Sequence, residues 1–357
     1  MQQRRRSAVT DRVLVTGATG FIAQHCILQL LEAGYVVRGT ARGTNRRDEV
    51  ADILTPHLSD DARERLADFE VVAADLTSDE GWRDAVTDCR HVLHVASPLP
   101  RKAARFDDEL VVPARDGTLR VLRAAQAAGV ERVVLTSSIS AVVYGNDRAT
   151  TFDESHWTNV EGKRVGAYDR SKTIAERAAW NFIDELGAES TLELVVINPG
   201  LVLGPLLSAD WGTSGELVKR VIDREVPAIP DISLAMVDVR DVASAHVRAL
   251  TTPEAAGKRF ICAEANHSMM EVAIILRRHL GPLGYKIPTK RLPSIAIRFM
   301  ALFDSTIRLA LNDLGTSQSV DNRRIRSVLR WTPRSLDEMT ISMADSMIRY
   351  GVVKVPK

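Results

Sequence analysis

Short β-branched runs alternate with amphipathic stretches through the first half of the 357-residue chain. "RVLVTG" (12–17) is apolar at consecutive positions rather than at every second one, the pattern of a strand covered on both faces. "FIAQHCILQLLEAG" (21–34) then carries apolar residues at helical spacing and stops at a glycine. The strand pattern recurs in "YVVRGT" (35–40), "FEVVAADL" (69–76), "HVLHVASP" (91–98), "ERVVLTSS" (131–138) and "TLELVVINPG" (191–200). Helices are predicted between them at about 79–87, 108–129 and 168–186. Buried strands joined by helices imply an α/β fold, a doubly wound parallel sheet. After Gly200 the alternation fades. "AMVDVRDVASAH" (235–246) and "RFICAE" (259–264) read as late strands returning to the sheet.

Composition narrows the partners. Hydrophobic residues make up 45% and charged residues 26%, ordinary for a globular chain long enough to bury a large core. A net charge of +1 gives no field for nucleic acid or an anionic membrane. "RRR" (4–6) lacks the apolar stretch of a signal peptide and reads as part of a disordered tail over 1–10. "SIAIRFMALF" (294–303) is too short to span a bilayer and carries Arg298. Cys26, Cys89 and Cys262 form neither a metal-spaced set nor a redox pair, so no metal is expected and a cytoplasmic location is.

"VTGATGFIA" (15–23) lies between the first strand and the first helix. Gly17 permits a tight turn, Gly20 lets backbone approach a pyrophosphate, and Ala23 allows close helix–strand packing. The loop therefore marks a dinucleotide site. About twenty residues on, the second strand ends in "GTARG" (39–43), with no acid before Asp48. An acid there would bind a ribose 2′-hydroxyl, whereas Arg42, with Arg46 and Arg47 behind it, matches a 2′-phosphate. The expected cofactor is NADP(H). The domain division follows: a nucleotide lobe over 11–200 with returns at about 235–264, and a smaller interleaved substrate lobe over 201–234 and 265–357.

"AYDRSK" (167–172) sets Tyr168 and Lys172 four residues apart, on one helix face. With 5 tyrosines and 9 lysines, chance supplies roughly 0.13 copies of this spacing. The chain has two, so position decides. "YGVVK" (350–354) lacks a helical pattern and a neighbouring site. Tyr168 instead opens a helix downstream of "VVLTSS", and the carboxyl end of that strand puts Ser138 at the ligand crevice. A phenol near pKa 10 is a poor acid at neutral pH. An adjacent ammonium should lower it, so Lys172 is expected to tune Tyr168 while Ser138 polarises a carbonyl.

These segments together carry a resemblance. "VTGATGFIAQH" (15–25), "VRGTAR" (37–42), "HVASP" (94–98), "VVLTSS", "YDRSK", "NPGLVLGP" (198–205) and "VDVRDVASAH" (237–246) resemble the extended short-chain dehydrogenase/reductases, which have a Rossmann fold. Within them the chain is similar to the dihydroflavonol reductase, cinnamoyl-CoA reductase and yeast-type aldehyde reductase group over roughly 11–345. The resemblance implies a catalytic set of Ser138, Tyr168 and Lys172, the last also bonding the nicotinamide ribose. It implies cofactor contacts from Gly17, Thr19, Gly20, Phe21, Ile22, Arg42, Asp75, Leu76, Val95, Ala96 and Ser97, and from Pro199, Gly200, Leu201, Val202 and Ser214. The implied reaction is reversible NADPH-dependent reduction of an aldehyde or ketone.

Departures bear on the substrate. Where flavonoid reductases place an asparagine and a glutamine this chain has Val143 and Ala235, and Glu49 stands where a second phosphate ligand is expected. With 201–234 and 264–313 rich in Leu, Ile, Met and Phe, the expected substrate is a small apolar carbonyl compound or alcohol. Two other readings share the fold. A sugar-nucleotide epimerase or dehydratase would carry an acid in place of Arg42 and an arginine where Val195 stands; a non-catalytic NADP sensor would lack Tyr168. The helices at 108–129 and 168–186 leave monomer and homodimer both open.

Overall fold

The computed structural model describes residues 11–98, 108–146, 151–293, 295–297, 314 and 319–356. The basic tail and most of "SIAIRFMALF" lie outside them. Seven strands form the main sheet: β1 (Arg12–Val15), β2 (Val36–Ala41), β3 (Glu70–Ala73), β4 (His91–His94), β5 (Arg132–Thr136), β6 (Glu193–Pro199) and β7 (Lys258–Cys262). Their order is β7-β6-β5-β4-β1-β2-β3 and every pairing is parallel. The chain winds outward from β1 in one direction, then from β4 in the other. The crevice between β1 and β4 is the switch point where such sheets bind ligands.

Consecutive apolar positions are explained by two cores. Val13 and Val15 of β1, Leu93 of β4, Val134 of β5 and Val195 of β6 enter one core. Leu14, Val92, Val133, Leu135, Leu194 and Val196 enter the other. Strand side chains alternate between faces, so a strand buried on both must be apolar throughout. Helix α1 (Phe21–Glu32) covers the first face. Helices α2 (Asp108–Ala127) and α3 (Ala167–Leu186), packed on each other, cover the second.

The late strands need one correction. "AMVDVRDVASAH" does not return to the main sheet as a single strand. Its strand, Ser233–Asp238, pairs in parallel with Leu201–Leu203 and antiparallel with Ala265–Ser268, in a separate three-stranded sheet. Asp238 then accepts a hydrogen bond from the Arg240 N–H and caps helix α4 (Val239–Thr251). Val239, Val242, Ala243, His246, Ala249 and Leu250 make the buried stripe of α4, at helical spacing. A further core gathers Met236, Met269, Leu276, Met339, Met343 and Met347 beneath helices Met269–Leu280 and Leu336–Arg349. Among the described residues, no helix is long and apolar enough to cross a membrane.

Candidate active site

The carboxyl ends of the parallel strands lie on one rim, and the sequence-predicted residues gather there. Gly17 follows β1 with φ +71°, and a Cβ on it would stand 3.1 Å from the Cβ of Ala96. Only glycine meets both conditions at low cost. Its N–H donates to Thr40 Oγ1 at 3.1 Å, and Gln24 donates to Thr19 O at 3.0 Å, pinning the loop. Gly20 caps α1 with no side-chain hydrogen bond, and the first turn holds no acid. The leading N–H groups, from Phe21 and Ile22 onward, thus face the rim without a competing carboxylate, which suits a pyrophosphate. Thr16 Oγ1 accepts from Ala96 N at 2.9 Å and meets His94 Nδ1 at 2.9 Å, tying the glycine loop to Val95–Ser97 after β4.

Beyond β2, Arg42 is exposed and makes no hydrogen bond or ion pair among the described residues. Its two neighbours are committed. Arg46 pairs with Glu49, and Arg47 donates to Phe69 O, Leu66 O and Ala67 O and pairs with Asp48. Arg42 is the one of the three with no hydrogen bond or ion pair among the described residues, though its charge acts on Asp75. Asp75, past β3, receives Thr77 N–H and O–H at 2.8 and 2.7 Å, which holds its carboxyl below the usual range. Leu76 beside it abuts Gly117 of α2.

Tyr168 sits in the first turn of α3, where the Asp169 carboxylate accepts the Gly166 N–H at 2.9 Å and fixes the turn. Ser138 follows β5, accepts the Ser140 N–H at 3.1 Å, and lies close enough to Tyr168 for its hydroxyl to act on the phenol. Lys172 Nζ lies 5.9 Å from the centre of the Tyr168 ring. The three side chains are therefore together. Their ionisation differs from expectation. Burial pushes Tyr168 up to about 12, against a smaller downward pull from Ser138. Burial likewise pushes Lys172 down to about 8, opposed by the charge of Glu176. Desolvation sets the phenol, the Asp169 charge adds to it, and Lys172 is not among the groups that shift it.

One group escaped the sequence reading. Lys172, Glu176, Ser137, Ala96 and Ser97 line a narrow cavity between the strand ends and α3. Glu176, one turn beyond Lys172, is fully buried. It accepts Ser137 Oγ–H at 2.6 Å and Asn198 Nδ2–H at 2.8 Å, and faces Arg259 of β7 at 2.7 Å. The signal available was the spacing Tyr168-Lys172-Glu176, which puts all three on one helix stripe.

The remaining predicted contacts are more scattered. Gly200 follows β6, donates to Cys262 O at 3.1 Å, and has no room for a Cβ, which would fall 2.3 Å from Ala235 O. Leu201 and Val202 belong to the small sheet that starts there, directly after Pro199. Ser214 stands in the helix Gly212–Ile222, with no hydrogen bond to the Ser138 group among the described residues. Tyr350 ends the last helix, facing His57 at 3.4 Å, and Lys354 lies past the helix end at Gly351.

Residues 13–263 match the family described as NAD dependent epimerase/dehydratase. The chain is 38% identical over 291 residues to cinnamoyl-CoA reductase 1 of Petunia hybrida, covering 80% of this chain and 81% of that protein. It is 32% identical over 355 residues to NADPH-dependent methylglyoxal reductase GRE2 of Saccharomyces cerevisiae, covering 95% and 98%. Among solved structures it is similar to yeast methylglyoxal/isovaleraldehyde reductase Gre2 complexed with NADPH, with a TM-score of 0.78 and 29% identity over 96% of this chain and 99% of that one.

Proposed function

The chain belongs to the NAD dependent epimerase/dehydratase family, and from that premise we propose that it reduces aldehydes or ketones to alcohols with NADPH, reversibly. The observation that carries this reading is the gathering of Ser138, Tyr168 and Lys172 at the rim beside the glycine loop. NADPH, when bound, supplies the hydride. Gly17, Gly20 and the α1 N-terminus hold its pyrophosphate, with Thr19, Phe21 and Ile22 lining the turn, and Arg42 takes the 2′-phosphate. Asp75 and Leu76 flank the adenine side; Val95, Ala96, Ser97 and the 199–202 turn flank the nicotinamide side.

Ser138 holds the carbonyl oxygen and Tyr168 gives it a proton. A phenol at about 12 keeps its proton at every working pH, so the acid is always loaded. The difficulty is the phenolate left behind in a half-buried site. The Lys172 ammonium offsets that charge as it forms, which is worth most where water is excluded. Lys172 thus acts on the transition state more than on the resting phenol.

An apolar substrate suits the same site. Val143 and Ala235 fall into one apolar cluster with Phe152 and Ile261, against Ile139 next to Ser138. A polyphenol hydroxyl there would go unpaired, at about 1–3 kcal/mol each.

Tyr168→Phe tests the assignment. NADPH affinity should stay near wild type while carbonyl reduction falls about 10²–10⁴-fold, the usual worth of a general acid. Tyr350→Phe, the matched control, should leave turnover unchanged. A Tyr168→Phe enzyme retaining more than about a tenth of wild-type turnover would remove Tyr168 from the role. On a substrate panel, short aliphatic aldehydes should exceed dihydroflavonols in kcat/KM.

A further inference from the structure

Behind Lys172 the second buried core is interrupted by charge. Glu176 and Arg259 are both almost without solvent exposure, 1% and 6%. Burying such groups costs several kcal/mol apiece unless they are paired. The Oε2 contacts of the Glu176 carboxylate lead toward the candidate site. Oε2 accepts from Ser137, the residue before Ser138, and from Asn198, whose amide also donates to Ser138 O at 3.1 Å. Oε1 accepts from Trp180 Nε1 at 3.4 Å and faces Arg259 Nε at 2.7 Å, an ion pair rather than an aligned hydrogen bond. Arg259 is held from behind. Its guanidinium stacks 3.7 Å from the centre of the Trp157 ring and donates to His156 O at 2.7 Å.

The charge count matters here. One buried carboxylate serves two buried cations: Glu176 pairs with Arg259 at 2.7 Å and acts on Lys172 through its charge. On its other side Lys172 meets His94 of β4, which burial keeps neutral and pushes down to about 3, and the neutral Tyr168, with the Asp169 carboxylate beyond it. Arg177, which approaches Trp157 at 5.2 Å, is exposed. No other carboxylate facing Lys172 from an adjacent element acts on it among the described residues. Lose Glu176, and the ammonium has no counter-charge in a site that already disfavours it.

The geometry points to Glu176 as a positioning residue for carbonyl reduction: its clamped carboxylate keeps Lys172 charged beside Tyr168 and, through Ser137 and Asn198, sets the backbone that carries Ser138. This rests on the assignment of Ser138, Tyr168 and Lys172 as the reacting set. Arg259 opposes the effect of Glu176 on Lys172 while its ion pair fixes the carboxylate in place. The stacked Trp157 closes the pair from that side.

The two partners make predictions of opposite sign. Reduction needs the Lys172 ammonium, so activity should fall as pH rises through about 8, the value to which burial brings Lys172. Glu176→Gln keeps the shape and removes the counter-charge, so the alkaline limb of kcat should move to lower pH by about one unit. Arg259→Met keeps bulk against Trp157 and removes the competing cation, so the limb should move to higher pH. Ser137→Ala removes a contact but no charge and should leave the limb in place. NADPH titration and circular dichroism establish that each variant is folded, and where Glu176→Gln does not fold, the upward shift in Arg259→Met decides alone. An unmoved limb in either folded charge variant, or shifts of the same sign in both, would overturn the proposal. Undiminished turnover in Tyr168→Phe would instead defeat the underlying assignment, whatever the limbs do.

Discussion

At the scale of single residues, the site is built from side chains whose neighbours decide what each can do. Arg42, Arg46 and Arg47 are identical in chemistry and nearly adjacent in sequence. Only Arg42 is uncommitted among the described residues, because Glu49 occupies Arg46 and three backbone carbonyls occupy Arg47. In the proposed reading the 2′-phosphate falls to this one guanidinium. A charged hydrogen bond contributes roughly 1.5–3 kcal/mol, or about 10- to 150-fold in affinity. Arg42→Ala should weaken NADPH by about that factor and leave NADH nearly untouched, since NADH has no phosphate to lose. Fluorescence titration of both cofactors checks it. Equal affinity for the two in the wild type would mean that Arg42 does not read the ribose. The same dependence on neighbours reverses the expectation for Tyr168. Four-residue spacing correctly places an ammonium near a phenol, but the sign of the shift depends on how deeply both are buried, which spacing does not encode.

Among elements, the strands of the main sheet were legible because burial on both faces leaves a run of apolar residues that few other structures require. The boundary inside 235–246 was not. "VDVR" alternates with period two, yet Val239 and Val242 also fit one helix stripe, and the Asp238 cap decides between them. Buried arginines were equally opaque, since their partners are distant in sequence. Arg132, inside the strand β5, donates from Nη1 to Ala249 O, Leu250 O and Thr252 O at the end of α4 and pairs with Glu193 of β6. Arg38 of β2 does the same for Asp84 O, Ala85 O and Thr87 O, at the end of helix Trp82–Val86, and pairs with Glu70. In both, a cation meets the negative end of a helix dipole and closes carbonyls that would otherwise be stranded. Arg132→Met keeps the bulk and removes the cap. Unsatisfied buried carbonyls cost about 1–3 kcal/mol each, so urea unfolding should show a loss of at least about 2 kcal/mol, with kcat at 25 °C little changed. A loss below about 0.5 kcal/mol, the range of surface substitutions, would show that α4 does not need the cap.

For the whole molecule, three buried histidines join parts that the sequence keeps apart. His94 links β4 to the glycine loop through Thr16. His246 of α4 meets Thr136 Oγ1 at 2.7 Å, and His25 of α1 donates to Pro205 O at 2.9 Å beside the small sheet. Burial pushes them from an ordinary 6.5 down to about 3, about 4 and about 4. His246 Nδ1 faces the Val242 carbonyl and must donate, so Nε2 accepts from Thr136, which only the neutral ring can do. The folded chain thus refuses protons that the unfolded chain accepts below 6.5. The stability these rings contribute is fully present above that pH and is lost progressively as pH falls toward 4. Each histidine contributes about 1.4 kcal/mol per pH unit in that window, so together they contribute about 4. The lowered carboxylates enter later: Asp153, held at about 2 from an ordinary 3.8, matters only below its ordinary value. Urea unfolding of the cofactor-free protein between pH 7 and 5 should therefore give a stability slope near pH 5.5 equivalent to an uptake of about three protons or more. A slope below one proton would mean that the rings are already charged in the native state. The joints between the strands, α4 and the small sheet would then be held by something other than neutral imidazoles.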